Sequence, residues 1–377
     1  MTSPRKKIIF LLPSLRGGGA ERVVVTLLQH LDRRRFEPHL ALVDAVGPCL
    51  TDVPQDVPIH DLKAGRARYA MPAIIRLAWK LRPQVVLSTL GHLNLVVILA
   101  RPFLPRGVKL LVREGITVSA CLAVDGKYAP VWKWLYRRFY KFADKIICQS
   151  DSMLIDLVQN FAVPRENTVR IYNPVDVDRI KRLADSLPNP YSGPSPRLVA
   201  AGRLCNQKGF DVLLDALALV RQTFPSAQLT ILGEGPLEAG LKAQRDRLGL
   251  QEAVHFAGFQ PNPYPYFKHA DLFVLASRYE GLPNVVLESL ALGVPVVATD
   301  CPGGIQDIHR LCLGGVTICQ TDHESLAAST VSECARSRSQ RPSGLGDLKR
   351  LGREFEVQEV IGCYEDLFSF LPDSAEA

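Results

Sequence analysis

Residues 186–210 read SLPNPYSGPSPRLVAAGRLCNQKGF, and they divide the chain. Pro188, Pro190, Pro194 and Pro196 have no amide proton and fix their own φ, so neither a helix nor a central strand runs through 186–196. Directly after them Arg197–Ala201 is a short apolar run. Residues 202–209 form a glycine-bounded loop with two cations, and Phe210–Thr223 carries apolar residues at helical spacing. Strand, loop and helix in that order begin a parallel α/β unit. The N-terminus has the same order: a strand at 7–12, a glycine-rich turn at 13–19 and a helical pattern at 20–31.

Short β-branched runs continue outward from both starts. Strands are expected at 7–12, 39–43, 84–87, 109–112, 145–149 and 168–171, then at 197–201, 228–232, 254–256, 272–275, 295–298 and 316–318. Amphipathic segments such as 72–81 and 237–248 lie between them. Strands that are apolar throughout and alternate with helices imply parallel sheets covered on both faces. The expected fold class is therefore α/β, with two doubly wound parallel-sheet domains at 1–185 and 197–355 joined by a linker at 186–196. Ligands in such folds sit at the C-terminal strand ends, here facing a cleft. Residues 336–346 are polar and read as a loop.

The composition agrees: 47% hydrophobic and 22% charged residues exclude a disordered chain, a collagen and a disulfide scaffold. No apolar run approaches the ~20 residues that cross a bilayer, and no signal peptide is read. Nine cysteines without a C-x-x-C spacing read as reduced thiols of a cytosolic protein, with no zinc site. Residues 1–175 hold 26 Lys and Arg against 13 Asp and Glu, and the remainder 19 against 25. The first half is thus strongly basic and suits an anionic membrane surface. No nucleic-acid motif accompanies it, so a nucleic acid is not an expected partner.

Three stretches carry candidate chemistry. In residues 13–23, Gly17, Gly18 and Gly19 would let backbone amides approach a phosphate at a helix start, although the spacing is neither a dinucleotide fingerprint nor a P-loop. In residues 201–210, Arg203 and Lys208 lie on one loop at a strand end, where two cations would neutralise a diphosphate. In residues 277–288, Glu280 follows a strand, Pro283 and Asn284 begin a helix with Asn284 as its cap, and Glu288 lies about one turn inside. The amides of Val285 and Val286 would meet a phosphate, and the two carboxylates would accept hydroxyls of a sugar or ribose. Asp176 and Asp178 read as a turn or helix cap rather than a metal site. His92 and Asn94, after a strand end, read either as cleft residues or as structural ones. Arg113 and Glu114 are a charge pair at the same edge.

In combination these motifs resemble the retaining family 4 glycosyltransferases of the GT-B fold, two Rossmann-like domains facing a cleft. The matching pieces are GGGAERV (17–23), NPVD (173–176), GRLCNQKGFD (202–211), GFQPNPYPYF (258–267), the E-x7-E signature within SRYEGLPNVVLE (277–288), and GVPVVATDCPGG (293–304). The second-domain match looks most like transferases of N-acetylhexosamines in bacterial surface-glycan assembly. The resemblance implies that Arg203 and Lys208 bind the donor diphosphate, Glu280 the donor sugar and Glu288 the ribose. It assigns contacts with the donor to Gly258, Phe259 and the backbone of Leu282, Pro283, Asn284, Val285 and Val286, and has Gly18 and Gly19 close over the phosphates. It implies no metal and no cofactor beyond the nucleotide-sugar co-substrate. The chain departs from the pattern where Glu114 stands at the place of a family histidine and Asp307 where glutamate is common. By the same resemblance, 356–377 is a C-terminal helix returning to the first domain.

The expected function is transfer of a hexose or N-acetylhexosamine, with retention, from a UDP-linked sugar to a glycan or polyprenyl-linked acceptor. The alternatives are a nucleotide-sugar epimerase or hydrolase of the same fold, or a non-catalytic subunit. Residues 127–145 interleave Trp132, Trp134, Leu135, Tyr136, Phe139, Tyr140 and Phe142 with Lys133, Arg137, Arg138 and Lys141. That pattern suits an interfacial helix, or one that packs its aromatics on the sheet. The expected location is peripheral, on the cytoplasmic face of the inner membrane.

Overall fold

The computed structural model describes residues 5–124, 128–312, 314–336 and 351–370. Most of the expected loop at 336–346, and Lys127 at the start of the aromatic stretch, lie outside the described residues.

The described chain forms two compact units. The first runs up to Pro174 and resumes at Val357; the second runs from Val175 to Glu356. The first unit holds seven parallel strands: β1 (Lys6–Leu12), β2 (Phe36–Leu42), β3 (Ile59–Asp61), β4 (Val85–Thr89), β5 (Lys109–Arg113), β6 (Lys145–Cys148) and β7 (Thr168–Arg170). Their order is β3-β2-β1-β4-β5-β6-β7. The second unit holds six: β8 (Arg197–Ala201), β9 (Gln228–Leu232), β10 (Val254–Gly258), β11 (Leu272–Leu275), β12 (Val296–Thr299) and β13 (Val316–Cys319). Their order is β10-β9-β8-β11-β12-β13. Both orders reverse once, between β1 and β4 and between β8 and β11. Such a reversal opens a crevice at the C-terminal strand ends.

Every expected strand is present to within a few residues. The one that sequence reading missed, β3, has three residues at the sheet edge with Ile59 exposed, too short to show an apolar pattern. Alternation of side chains explains why both sheet faces are covered. Ile8, Phe10 and Leu12 of β1 enter one core with the helix Gly19–His30, while Ile9 and Leu11 enter another with Ile74, Leu93 and Tyr140. The helix Val357–Phe370 completes the first of these cores. Its Phe368 ring meets Phe10 and Phe36 edge-on at 6.1 and 5.9 Å, and Glu365 accepts the amide of Asp32 at 2.8 Å.

The unit boundaries differ from the expected 1–185, 186–196 and 197–355. The helix Val177–Ala184 buries Val177, Ile180 and Ala184 and packs against the helices Tyr264–His269 and Asn284–Ala291, so residues 175–185 belong to the second unit. The proline-rich stretch does stop that helix. It is nevertheless fastened to the second unit, with the Tyr191 hydroxyl donating to Tyr266 O at 3.0 Å and Ser195 Oγ to Asp271 at 2.5 Å. Prolines report where regular structure ends, not where packing ends.

Candidate functional site

In the second unit the loops after β8 and β11 are locked together. Gly209 has φ +60, and a Cβ there would lie 2.0 Å from Ala276 O, so only glycine allows this approach. Arg278 N donates to Gln207 O at 2.7 Å, and Gln207 Nε2 to Tyr279 O at 3.0 Å. The turn after β12 closes the other side, with Glu280 N donating to Pro302 O at 2.8 Å and Gly304 N to Gly281 O at 2.6 Å.

This scaffold brings Lys208 and Glu280 into contact. Lys208 Nζ donates to Glu280 Oε1 at 2.6 Å, and Ser277 Oγ donates to the same oxygen at 2.7 Å. Their side chains are only 18% and 7% exposed, which distinguishes the pair from a solvated surface ion pair. Arg203, on the same loop, is exposed. The sequence reading treated Lys208 and Glu280 as separate ligands; the structure couples them. It also adds Ser277, which no spacing signalled.

Glu288 is buried on the helix Asn284–Ala291, where Oε1 accepts from the Tyr264 hydroxyl at 3.4 Å. Two local expectations are corrected. Pro283, with extended ψ, is the cap residue and Asn284 is the first helical residue, so no side-chain cap forms. The Val286 amide is not free at the helix start, because it donates to Pro283 O at 3.1 Å. Leu282 is buried and Val285 half-buried. Gly258 ends β10 at φ +69, and Phe259 beside it is exposed, its amide 3.4 Å from Glu234 Oε1.

In the first unit the glycine turn follows β1 and opens the helix Gly19–His30 as expected. However, the amides of Gly17 and Gly18 both donate to Glu21 Oε2, at 2.6 and 3.1 Å. They are satisfied by the chain's own carboxylate, not presented free. Glu21 stands three residues after the cap, which is the capping-box position and could have been read from the sequence. Burial raises its pKa despite those two amide bonds.

Asn94, Arg113 and Glu114 do not line a surface. All three are at most 1% exposed and form one internal network. Asn94 Nδ2 donates to Glu114 Oε1 at 3.1 Å and to Arg113 O at 3.0 Å; the Tyr140 hydroxyl also donates to Glu114 Oε1. Arg113 reaches Asn173 Oδ1 at 2.5 Å and Thr89 Oγ1 at 3.4 Å. Burial pushes the Glu114 carboxyl up against these donors. His92, by contrast, is exposed and stacks on Trp132 at 4.6 Å. Asp176 caps the helix Val177–Ala184 by accepting from Arg179 N at 2.9 Å. Asp307, buried, is held by Arg310 at 2.8 Å.

The aromatic stretch divides. Tyr136 and Tyr140 are buried and Trp132, Leu135 and Phe139 half-buried against the core. Trp134 and Phe142 are exposed, with Lys133, Arg137, Arg138 and Lys141. All nine cysteines are free thiols. Among the described residues no helix is long and apolar enough to cross a membrane, and no three His, Cys, Asp or Glu side chains group as a metal would need.

Two family models match, one described as Glycosyltransferase Family 4 over residues 17–179 and one as Glycosyl transferases group 1 over residues 195–333. A Campylobacter jejuni protein, N-acetylgalactosamine-N,N'-diacetylbacillosaminyl-diphospho-undecaprenol 4-alpha-N-acetylgalactosaminyltransferase, is 32% identical over 320 residues, covering 80% of this chain and 83% of that one. The chain belongs to the family 4, group 1 glycosyltransferases. As a glycosyltransferase it is an enzyme. An uncharacterized glycosyltransferase of Methanocaldococcus jannaschii is 35% identical over 188 residues, a match spanning 49% of this chain and 46% of that relative's length. A crystal structure of Anabaena HepE in complex with UDP and glucose superposes with a TM-score of 0.78 at 21% identity, over 97% of this chain and 100% of that one. The fold of this glycosyltransferase is GT-B.

Proposed function

We propose that the chain transfers a hexose or N-acetylhexosamine from a UDP-linked donor to a lipid-linked glycan acceptor in surface polysaccharide assembly. The observation that carries this reading is the part-buried Lys208–Glu280 pair, with exposed Arg203 on the same loop as Lys208, at the C-terminal strand ends on either side of the β8–β11 reversal. Cations there stabilise the diphosphate as its charge grows in the transition state. Glu280 and Glu288 accept sugar and ribose hydroxyls. The likeness to the Campylobacter N-acetylgalactosaminyltransferase, whose name includes a diphospho-undecaprenol carrier, supports the sugar and acceptor classes. UDP in the Anabaena crystal supports the donor class.

The reaction proceeds with retention and without a metal. The acceptor attacks from the face the leaving group departs, and a departing phosphate oxygen takes the acceptor proton. No protein nucleophile is assigned. The enzyme works as a peripheral protein on the cytoplasmic face of the inner membrane. The test is incubation with a panel of nucleotide sugars, following nucleotide release with and without a lipid-linked acceptor. Acceptor-dependent release from one UDP-sugar, unaffected by EDTA and giving a product of retained configuration by NMR, is expected. Release independent of acceptor, an inverted product, or strict need for Mg²⁺ or Mn²⁺ sinks the reading.

A further inference from the structure

Three exposed aromatic side chains come from three successive crossovers of the first unit. Trp79 stands near the end of the helix Met71–Leu81, Phe103 in the turn Arg101–Phe103, and Phe142 in the turn Tyr140–Phe142. These segments feed β4, β5 and β6, so all three rings stand at the N-terminal ends of adjacent parallel strands, away from the Arg113–Glu114 end. They are 48%, 59% and 44% exposed.

Direct contacts join them. Trp79 Nε1 donates to Phe103 O at 2.8 Å, and Arg101 Nη1 donates to Phe142 O at 2.6 Å. Arg82 lies 4.1 Å over the Trp79 ring, and Arg138 and Lys141 lie 5.7 and 5.6 Å from the Phe142 ring. The charge is one-sided: residues 76–82, 101–109 and 133–145 hold eleven Lys and Arg and one acid, Asp144. Asp144 is already taken by Arg101 at 2.8 Å and by the Leu110 amide at 2.7 Å. Such a face repels a second copy of itself and complements an anionic surface. Aromatic rings beside exposed cations suit the boundary between headgroups and acyl chains.

We infer that the row Trp79–Phe103–Phe142, with Arg82, Arg138 and Lys141, is a contact surface for a bilayer rich in anionic lipid. The surface extends beyond the aromatic helix to two crossovers whose sequences give no sign of it. Its purpose rests on the lipid-linked-acceptor reading; its existence does not.

Flotation of the full chain with vesicles of phosphatidylcholine, alone or mixed with phosphatidylglycerol, tests it. Binding is expected only to the mixed vesicles and should weaken with salt. Trp79→Ser with Phe103→Ser should weaken that binding about tenfold. Loss of the Trp79 bond could loosen the turn, so a second variant, Phe103→Ser with Arg82→Gln and Lys141→Gln, keeps Trp79. It should lose at least as much affinity, with unchanged melting. Equal binding to both vesicle types, or wild-type binding by both variants, overturns the inference. So does a dimer that these substitutions dissolve. Transfer to a water-soluble acceptor analogue is measured in parallel. Vesicle binding without transfer sinks the proposed function and leaves this surface standing, whereas transfer without vesicle binding sinks the surface alone.

Discussion

The polar clusters beside β5 and beside β11 both lie at the C-terminal ends of parallel strands, the first one strand away from its sheet's order reversal and the second next to its own, yet they do opposite things with their charges. Arg113 and Glu114 are sealed inside the first unit, where Asn94, Asn173, Thr89 and Tyr140 bond to them. Lys208 and Glu280 are paired but lie open at one side, next to exposed Arg203. A buried charge network holds a chain in one arrangement, because any lost partner leaves a desolvated group. A pair that retains access can exchange partners with a ligand. On the proposed function, the first cluster is structural and the second meets the donor.

Removing Arg113 is the strongest way to break that contrast. Arg113→Ala should cost about 3 kcal/mol of stability, since Asn173 and Thr89 lose a buried donor and Glu114 loses its neighbouring charge. Urea unfolding reads this directly; a loss under about 1 kcal/mol would mean the network is not structural. Arg203→Ala should do the reverse. Turnover should fall roughly a hundredfold, the size expected of one preorganised cation, while the urea midpoint stays put. Near-full transfer by this variant removes Arg203 from the site.

The coupling of Lys208 to Glu280 gives a finer measure. Glu280→Gln should reduce transfer more than UDP affinity, and Glu288→Ala should reduce UDP affinity about tenfold by calorimetry. In a double-mutant cycle, Lys208→Ala and Glu280→Gln should be non-additive by about 1 kcal/mol or more. Additive effects would show that the 2.6 Å pair is not maintained during turnover.

The smallest expected effect is a pH slope. Burial raises the Glu114 carboxyl above its ordinary value of 4.5, so the folded chain holds that proton more tightly than the unfolded chain. The stability this contributes is full below the unfolded value and is lost as pH rises through the raised folded value. Glu114→Gln cannot ionise, so its stability relative to the parent chain should rise as pH climbs from the ordinary value of 4.5 through the raised folded value. A constant difference across that range would place the carboxyl at its ordinary value.

Much of this molecule was legible in its sequence, and the failures are instructive. Strands buried on both faces are mostly apolar, so twelve of the thirteen among the described residues were readable; β3, a three-residue edge, was not. The domain boundary was misplaced because prolines mark the end of a helix, whereas the helix Val177–Ala184 chooses its unit through side chains that meet Tyr264–His269 and Asn284–Ala291 far along the chain. Glu21 was overlooked although its position three residues past the cap was visible. Phe103 gave no signal at all, being a single aromatic in an irregular turn.

The sequence by itself determined the alternation of strand and helix, the break at 186–196, and the presence of Arg203, Lys208 and Glu280 on loops at strand ends with Glu288 inside the helix that follows. Periodicity and backbone restrictions act over a few residues, so they survive in a linear reading. Which of two similar charge pairs is buried, which amides a glutamate has already taken, and which aromatics from separate crossovers share one face were decided only by the tertiary structure. Those outcomes depend on which groups the fold brings within hydrogen-bonding distance and which it shields from water, and no local pattern encodes either.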